Sequence, residues 1–176
     1  GWPPRGRAPL PGRGRSGASG RGLEIWWAAG RRGSLLSPIE GMLVRIDNDR
    51  GSGNDFYDFK TGIGGMIEAE FLVQGLQMRR GIWEPNFSRA IDKLVAAEVL
   101  AATDGESLRN AYQFLRASES VLRRWQNRSV VRLPATREEE DVFARRMTFA
   151  SVEEFRLPYG HAREASHSLL TRYLVE

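Results

Sequence analysis

From Ser34 onward, apolar positions recur at helical spacing in one run after another. Leu35, Ile39, Met42, Leu43 and Ile46 fall on one side of a helix over 35–48, despite Gly41 inside it. The run DRGSGND breaks that helix. Phe56, Tyr57 and Phe59 allow one short extended piece, and Gly62, Gly64 and Gly65 follow it. Residues 66–80 read as a second helix, with Ile67, Phe71, Val73 or Gln74, and Met78 near one stripe. Past the loop GIWEPNF, Ile91, Leu94, Val95 and Val99 mark a helix over 87–100.

Three capping-box spacings organise the rest of the chain. Thr103–Glu106 opens a long helix to about Asn127, with Leu108, Tyr112, Leu115, Leu122 and Trp125 as its apolar positions. Thr136–Glu139 and Ser151–Glu154 precede two more helical runs. Pro158 and Gly160 are expected to interrupt the last run, which resumes at about His161 and ends with Leu169, Leu170 and Tyr173. The predicted fold class is all-α. It is a helical bundle of about five to six helices, with at most one short strand at its entrance.

Charge divides the chain at the same place as the pattern. The formal net charge is +4, which suggests a polyanion binder until the charge is located. Arg5, Arg7, Arg13, Arg15, Arg21, Arg31 and Arg32 face a single acid, Glu24, in residues 1–33; the remainder is slightly acidic. Residues 1–33 are also rich in Gly and Pro and bury too little apolar surface to fold, so they read as a disordered tail. An Arg/Gly RNA-binding arm, a linker and an out-of-frame stretch are all open for them. Residues 34–176 form the predicted domain, and they offer no charge argument for nucleic acid. Cysteine is absent, which removes disulfides and thiolate chemistry and fits a cytoplasmic setting. No apolar run reaches the roughly 18–20 residues that cross a bilayer.

Little in the body reads as catalytic. His161 and His167, six residues apart on a helix, point about 120° from each other and make no metal pair. The segment KTGIGG places its lysine before the glycines and lacks the Gly-Lys-Ser/Thr ending of a phosphate loop. Asp55 and Asp58 are three apart, the wrong spacing for one face of a strand. Glu68 and Glu70 project about 160° apart on a helix, so only one can face a given site.

The segment DFYDFKTGIGGMIEAEF carries the sharpest question. Glycines between an extended piece and a helix allow positive φ, and first-turn amides beside Lys60 suit an anion. Glu68 and Glu70 oppose a bare phosphate there. The bland alternative is an ion pair between Lys60 and Glu68 or Glu70 that pins the turn. The candidate residues are Lys60, Gly62, Gly64 and Gly65, as a phosphate-binding or interface turn, with Glu68 and Glu70 as its carboxylates.

The stretch DFKTGIGGMIEAEFLVQGLQMRRG resembles the K-x-G-x-G-G-x-x-[DE]-x-E-F-x-x-Q signature of the glutamine synthetase adenylyltransferase family. The matching residues are Lys60, Gly62, Gly64, Gly65, Glu68, Glu70, Phe71 and Gln74. LRNAYQFLRASESVLRRWQNRSVVRLP is similar to that family's long helix, and IEGMLVRIDNDRG to the helix that enters the domain. The resemblance runs from about Pro38 to Glu176. It implies the helical domain that follows a nucleotidyltransferase palm, in a bifunctional enzyme using ATP and Mg²⁺. That enzyme adds AMP to a tyrosine of glutamine synthetase and removes it, responding to PII. It implies glutamine synthetase, PII and an adjoining palm as partners.

The palm's Gly-Ser and Asp-x-Asp pattern is not matched by GSGNDFYDF. The resemblance therefore assigns no catalytic or metal-ligating residue to this chain and implies that it is inactive alone. Related PII uridylyltransferases are a second family reading, and a helical interaction module with the Arg/Gly tail is a non-enzymatic one.

Overall fold

A computed structural model describes residues 55–175. The readings on residues 1–54, namely the tail and the helix over 35–48, lie outside them. The described part is helical, as the periodicity indicates: α1 (Met66–Arg80), α2 (Phe87–Ala96), α3 (Ala102–Gln126), α4 (Arg137–Arg146) and α5 (Val152–Leu170). A short 3₁₀ turn, Asp55–Tyr57, precedes them and a π turn, Thr171–Val175, closes them. The expected short strand shrinks to one antiparallel bridge between Asp58 and Arg132.

The long helices α3 and α5 pack along each other; α1 lies on both, α2 extends the layer on one side and α4 closes the other. Apolar burial accounts for this arrangement, through two clusters of different composition. Ala69, Leu72 and Leu76 of α1, Ile91 and Leu94 of α2, and Leu108 and Leu169 form an aliphatic cluster. Phe59, Leu115, Leu122, Phe143, Phe155 and Tyr159 form a ring-rich one.

The helix ends show which signals were local. Helix α1 has the predicted bounds, because Gly81 at φ 68° takes the left-handed position that ends a helix at little cost. Thr136 accepts from the Glu139 amide at 3.3 Å and Ser151 from the Glu154 amide at 3.2 Å, so both caps form as read. Thr103 does not cap α3. That helix begins at Ala102, and the Ala101 amide donates to the Tyr173 hydroxyl at 3.2 Å.

Two further expectations fail for physical reasons. Helix α2 stops at Ala96 rather than 100, because Glu98 turns to φ 55° and the Val99 amide folds back onto the Leu94 carbonyl at 2.9 Å. Leu100 still reaches the core, but from a turn. Pro158 and Gly160 do not interrupt α5, which runs unbroken through both. Proline removes one bond, to the carbonyl of Glu154. Glu154 is exposed, whereas Phe155, Tyr159 and Ala162 hold the opposite side of the helix in the core.

The buried face of α1 also differs from the expected stripe. Met66, Ala69, Leu72, Val73 and Leu76 are buried, together with Glu68 and Gln77, while Gln74 is exposed. The helix is apolar on more than one side, so period alone does not choose the face. Two buried polar residues disguise the correct one.

Candidate functional site

The loop from Asp58 to Gly65 is built around one carboxylate. Asp58 is buried and accepts from the Lys60 amide at 3.0 Å, the Thr61 amide at 2.7 Å and the Thr61 hydroxyl at 2.6 Å. Burial pushes its carboxyl up, but these bonds outweigh that and hold it below its ordinary range. Asp58 is thus a turn-former of the kind Asp makes with amides two and three residues on.

The glycines serve the turn and its contact with α5. Gly64 has φ 71°, and a Cβ there would lie 2.1 Å from the Arg163 carbonyl oxygen. A Cβ on Gly65 would lie 2.8 Å from the carbonyl oxygens of Gly62 and Lys60. The amides at the start of α1 point into this loop. Gly65 donates to the Gly62 carbonyl at 2.8 Å, Met66 to Phe59 at 3.0 Å and Ile67 to Lys60 at 3.1 Å. The Gly64 amide donates to Glu68 Oε2 at 2.9 Å. So the anion at this helix start is the protein's own carboxylate.

Glu68 and Glu70 diverge, as their spacing requires. Glu68, 2% exposed, also lies 3.0 Å from His167 Nδ1 on α5. Glu70 accepts from the Tyr112 hydroxyl of α3 at 2.7 Å. Burial, and then the Glu70 bond, push the Tyr112 hydroxyl well up, so it remains a donor. Lys60 pairs with a third acid. Its Nζ lies 3.6 Å from Glu119 Oε1 of α3, whose other oxygen is 2.5 Å from Arg116. The ion pair that pins the loop therefore exists, but with a different acid. His161 is exposed, whereas His167 is half covered by its contact with Glu68.

Residues outside the motif hold the loop in place. Arg163 of α5, buried, donates through Nη1 to the Phe56 carbonyl and through Nε to the Ile63 carbonyl, the latter at 2.8 Å. Its guanidinium carbon sits 5.8 Å from the Phe56 ring centre and 5.6 Å from that of Tyr159. The Tyr159 hydroxyl donates to the same Phe56 carbonyl at 2.7 Å. Arg156 donates to Tyr57 at 3.0 Å and binds both oxygens of the buried Glu140. No local pattern announces Arg163. Glu119 could have been noticed, since it interrupts the apolar stripe between Leu115 and Leu122.

These partners decide how the loop fits a nucleotide. The first-turn amides are bonded within the loop, and Asp58, Glu68, Glu70 and Glu119 are each engaged with protein donors. As arranged, the loop does not fit a phosphate or a Mg²⁺ ion, and no catalytic step is derived through either. Lys60, with about a third of its side chain exposed, is the motif group that keeps an open side.

The sequence profile of the GlnD PII-uridylyltransferase family matches residues 43–173, which include this whole arrangement. The chain belongs to that family. Its curated relatives include bifunctional glutamine synthetase adenylyltransferase/adenylyl-removing enzymes. That of Stenotrophomonas maltophilia (strain K279a) is 49% identical over 70 residues, covering 37% of this chain and 8% of the relative. That of Pasteurella multocida (strain Pm70) is 30% identical over 106 residues, covering 57% and 11%. That of Xanthomonas axonopodis pv. citri (strain 306) is 39% identical over 89 residues, covering 46% and 10%. The matches thus span about a tenth of the length of these relatives. No helix among the described residues is long and apolar enough to cross a membrane.

Proposed function

We propose that this chain is the helical domain of a cytoplasmic glutamine synthetase adenylyltransferase/adenylyl-removing enzyme, and that its glycine turn is the seat of an adjoining nucleotidyltransferase palm. The supporting observation is the inward direction of the motif's polar groups. Asp58, Glu68, Glu70 and the first-turn amides tie the loop to α3 and α5, leaving Lys60 at its edge. A loop held this way gives a preceding domain a fixed point of attachment. ATP and Mg²⁺ would then be bound by the palm, with glutamine synthetase and PII as partners of the whole enzyme.

Incubating the chain with glutamine synthetase, labelled ATP and Mg²⁺ tests the assignment of chemistry to the palm. No incorporation above background is expected. Transfer by the chain alone would overturn it. The name of the matching family favours a second reading, in which the parent enzyme uridylylates PII. Labelled UTP and PII, used with the full-length parent, distinguish the two: label on PII would select the second.

A further inference from the structure

The arginines of the described residues differ in what they touch: Arg163 and Arg79 bind backbone carbonyls, and Arg80 of α1 and Arg89 of α2 are exposed without an ion pair. Arg109, Arg116, Arg137, Arg156 and Arg172 each reach a carboxylate. Arg123, Arg124, Arg128, Arg132, Arg145 and Arg146 have no ion pair among the described residues, and all six are exposed. Arg123 and Arg124 occupy the last turn of α3, and Arg145 and Arg146 the last turn of α4. The Arg146 guanidinium carbon lies 5.3 Å from the centre of the Trp125 ring, which joins the two helix ends.

Acids are absent from the stretches that carry these arginines, and the nearest block, Glu138–Asp141, lies in the first half of α4. Residues 120–137 and 142–152 contain no Asp or Glu, although residues 55–175 carry equal numbers of acidic and basic side chains. Helix dipoles favour cations in a last turn, and that accounts for Arg123, Arg124, Arg145 and Arg146. It does not reach Arg128 and Arg132, which lie past the end of α3. A surface charged only for solubility intersperses both signs. The other members of this end are the exposed Val131 and Val142 and the half-buried Trp125. Arginine with exposed aliphatic and half-buried aromatic neighbours matches the composition of a protein interface.

We propose that this arginine end of α3 and α4 is a docking surface for an acidic, partly aliphatic face of another protein. Guanidinium forks accept carboxylates bidentately, so glutamate and aspartate side chains are the groups recognised. The inference is independent of the glycine turn and of which nucleotide the parent enzyme uses.

The test uses the full chain with its seven tail arginines changed to glutamine, so that the tail does not compete for the probe. A twelve-residue peptide of Glu, Asp and Leu is titrated at low salt while backbone amide shifts are followed. Shifts are expected at residues 123–132 and 145–146 and at the Trp125 indole. Combined Arg124→Gln, Arg128→Gln, Arg132→Gln and Arg145→Gln substitution is expected to weaken binding at least tenfold. Shifts centred elsewhere would overturn the proposal, as would unchanged affinity in the variant. Tighter binding of a single-stranded oligonucleotide of equal charge would also overturn it. The shift map on the unsubstituted helices decides the matter even if the quadruple variant folds poorly.

Discussion

The buried side chains of one half of the core are aliphatic, the other half is rich in rings and flanked by arginines, and the glycine turn adjoins the second. In the aliphatic half, Leu72, Leu76, Ile91, Leu94 and Leu108 meet without a polar atom among their side chains. In the other, Phe155 stands at the centre of Phe114, Phe143 and Tyr159, with ring centres 5.0–5.8 Å away. Around that cluster Arg163, Arg156 and Tyr159 reach out to the carbonyls and hydroxyl of the 56–63 segment. A purely apolar contact tolerates exchange for another side chain of similar volume. A contact made by a guanidinium fork or a phenol does not, because the backbone carbonyl it serves stays buried.

The sharpest way to break the second half is Gly64→Ala. Left-handed φ costs about 1–2 kcal/mol for a residue with a Cβ, and overpacking typically adds about 1–3 kcal/mol. The neighbour here is a helix carbonyl at 2.1 Å, which has little freedom to give. A loss of about 2–5 kcal/mol is expected from these terms together, read as a lower urea midpoint. An unchanged midpoint would mean that the turn does not rest on α5.

Leu72→Ala tests the aliphatic half. Leu72 is fully buried, and truncating such a leucine costs about 2–5 kcal/mol according to how far the site collapses. Global unfolding should become easier while the Arg163 contacts persist, seen as an unshifted Ile63 amide resonance in the folded protein. If that resonance moved as far as in Gly64→Ala, the two halves would not be separable.

That separation also explains what the sequence disclosed. Helix α1 was legible to the residue because Gly65 and Gly81 bracket it, and Thr136 and Ser151 announced α4 and α5. These are signals carried within four residues. The partner of Lys60 was not legible, because Glu119 lies far along the chain and two nearer acids, Glu68 and Glu70, competed for the assignment. Arg163 was invisible for the same reason: its acceptors are the carbonyls of Phe56 and Ile63, about a hundred positions earlier. The start of α3 failed differently: Thr103–Glu106 has the right spacing, but the helix already begins at Ala102, so Thr103 lies inside its first turn. The caps that formed were readable, whereas the stop of α2 at Ala96 came from a local turn at Glu98 that no residue type announced.

Arg163→Lys asks whether charge or shape holds the loop. A lysine keeps the charge but cannot span the Phe56 and Ile63 carbonyls with a planar fork. Hydrogen bonds to charged groups contribute about 1.5–3 kcal/mol, so the loss of one acceptor should cost about 2 kcal/mol. The urea midpoint should fall by less than in Gly64→Ala. A lysine variant as stable as the parent would show that the positive charge alone suffices.

Asp58→Asn is the smallest perturbation, and its effect should depend on pH. The asparagine keeps Oδ1 for the Lys60 and Thr61 amides and loses the charge, so the cost near neutrality should be about 1 kcal/mol. Because the folded carboxyl titrates below its ordinary value, the charge contributes fully above about pH 4, the unfolded range. That contribution disappears as pH falls through the folded value. Urea midpoints of parent and variant should therefore be separated at pH 6 and closer together at pH 2.5. A gap of the same size at both would show that Asp58 acts through its shape alone, and would remove the charge from the account of how this turn is held.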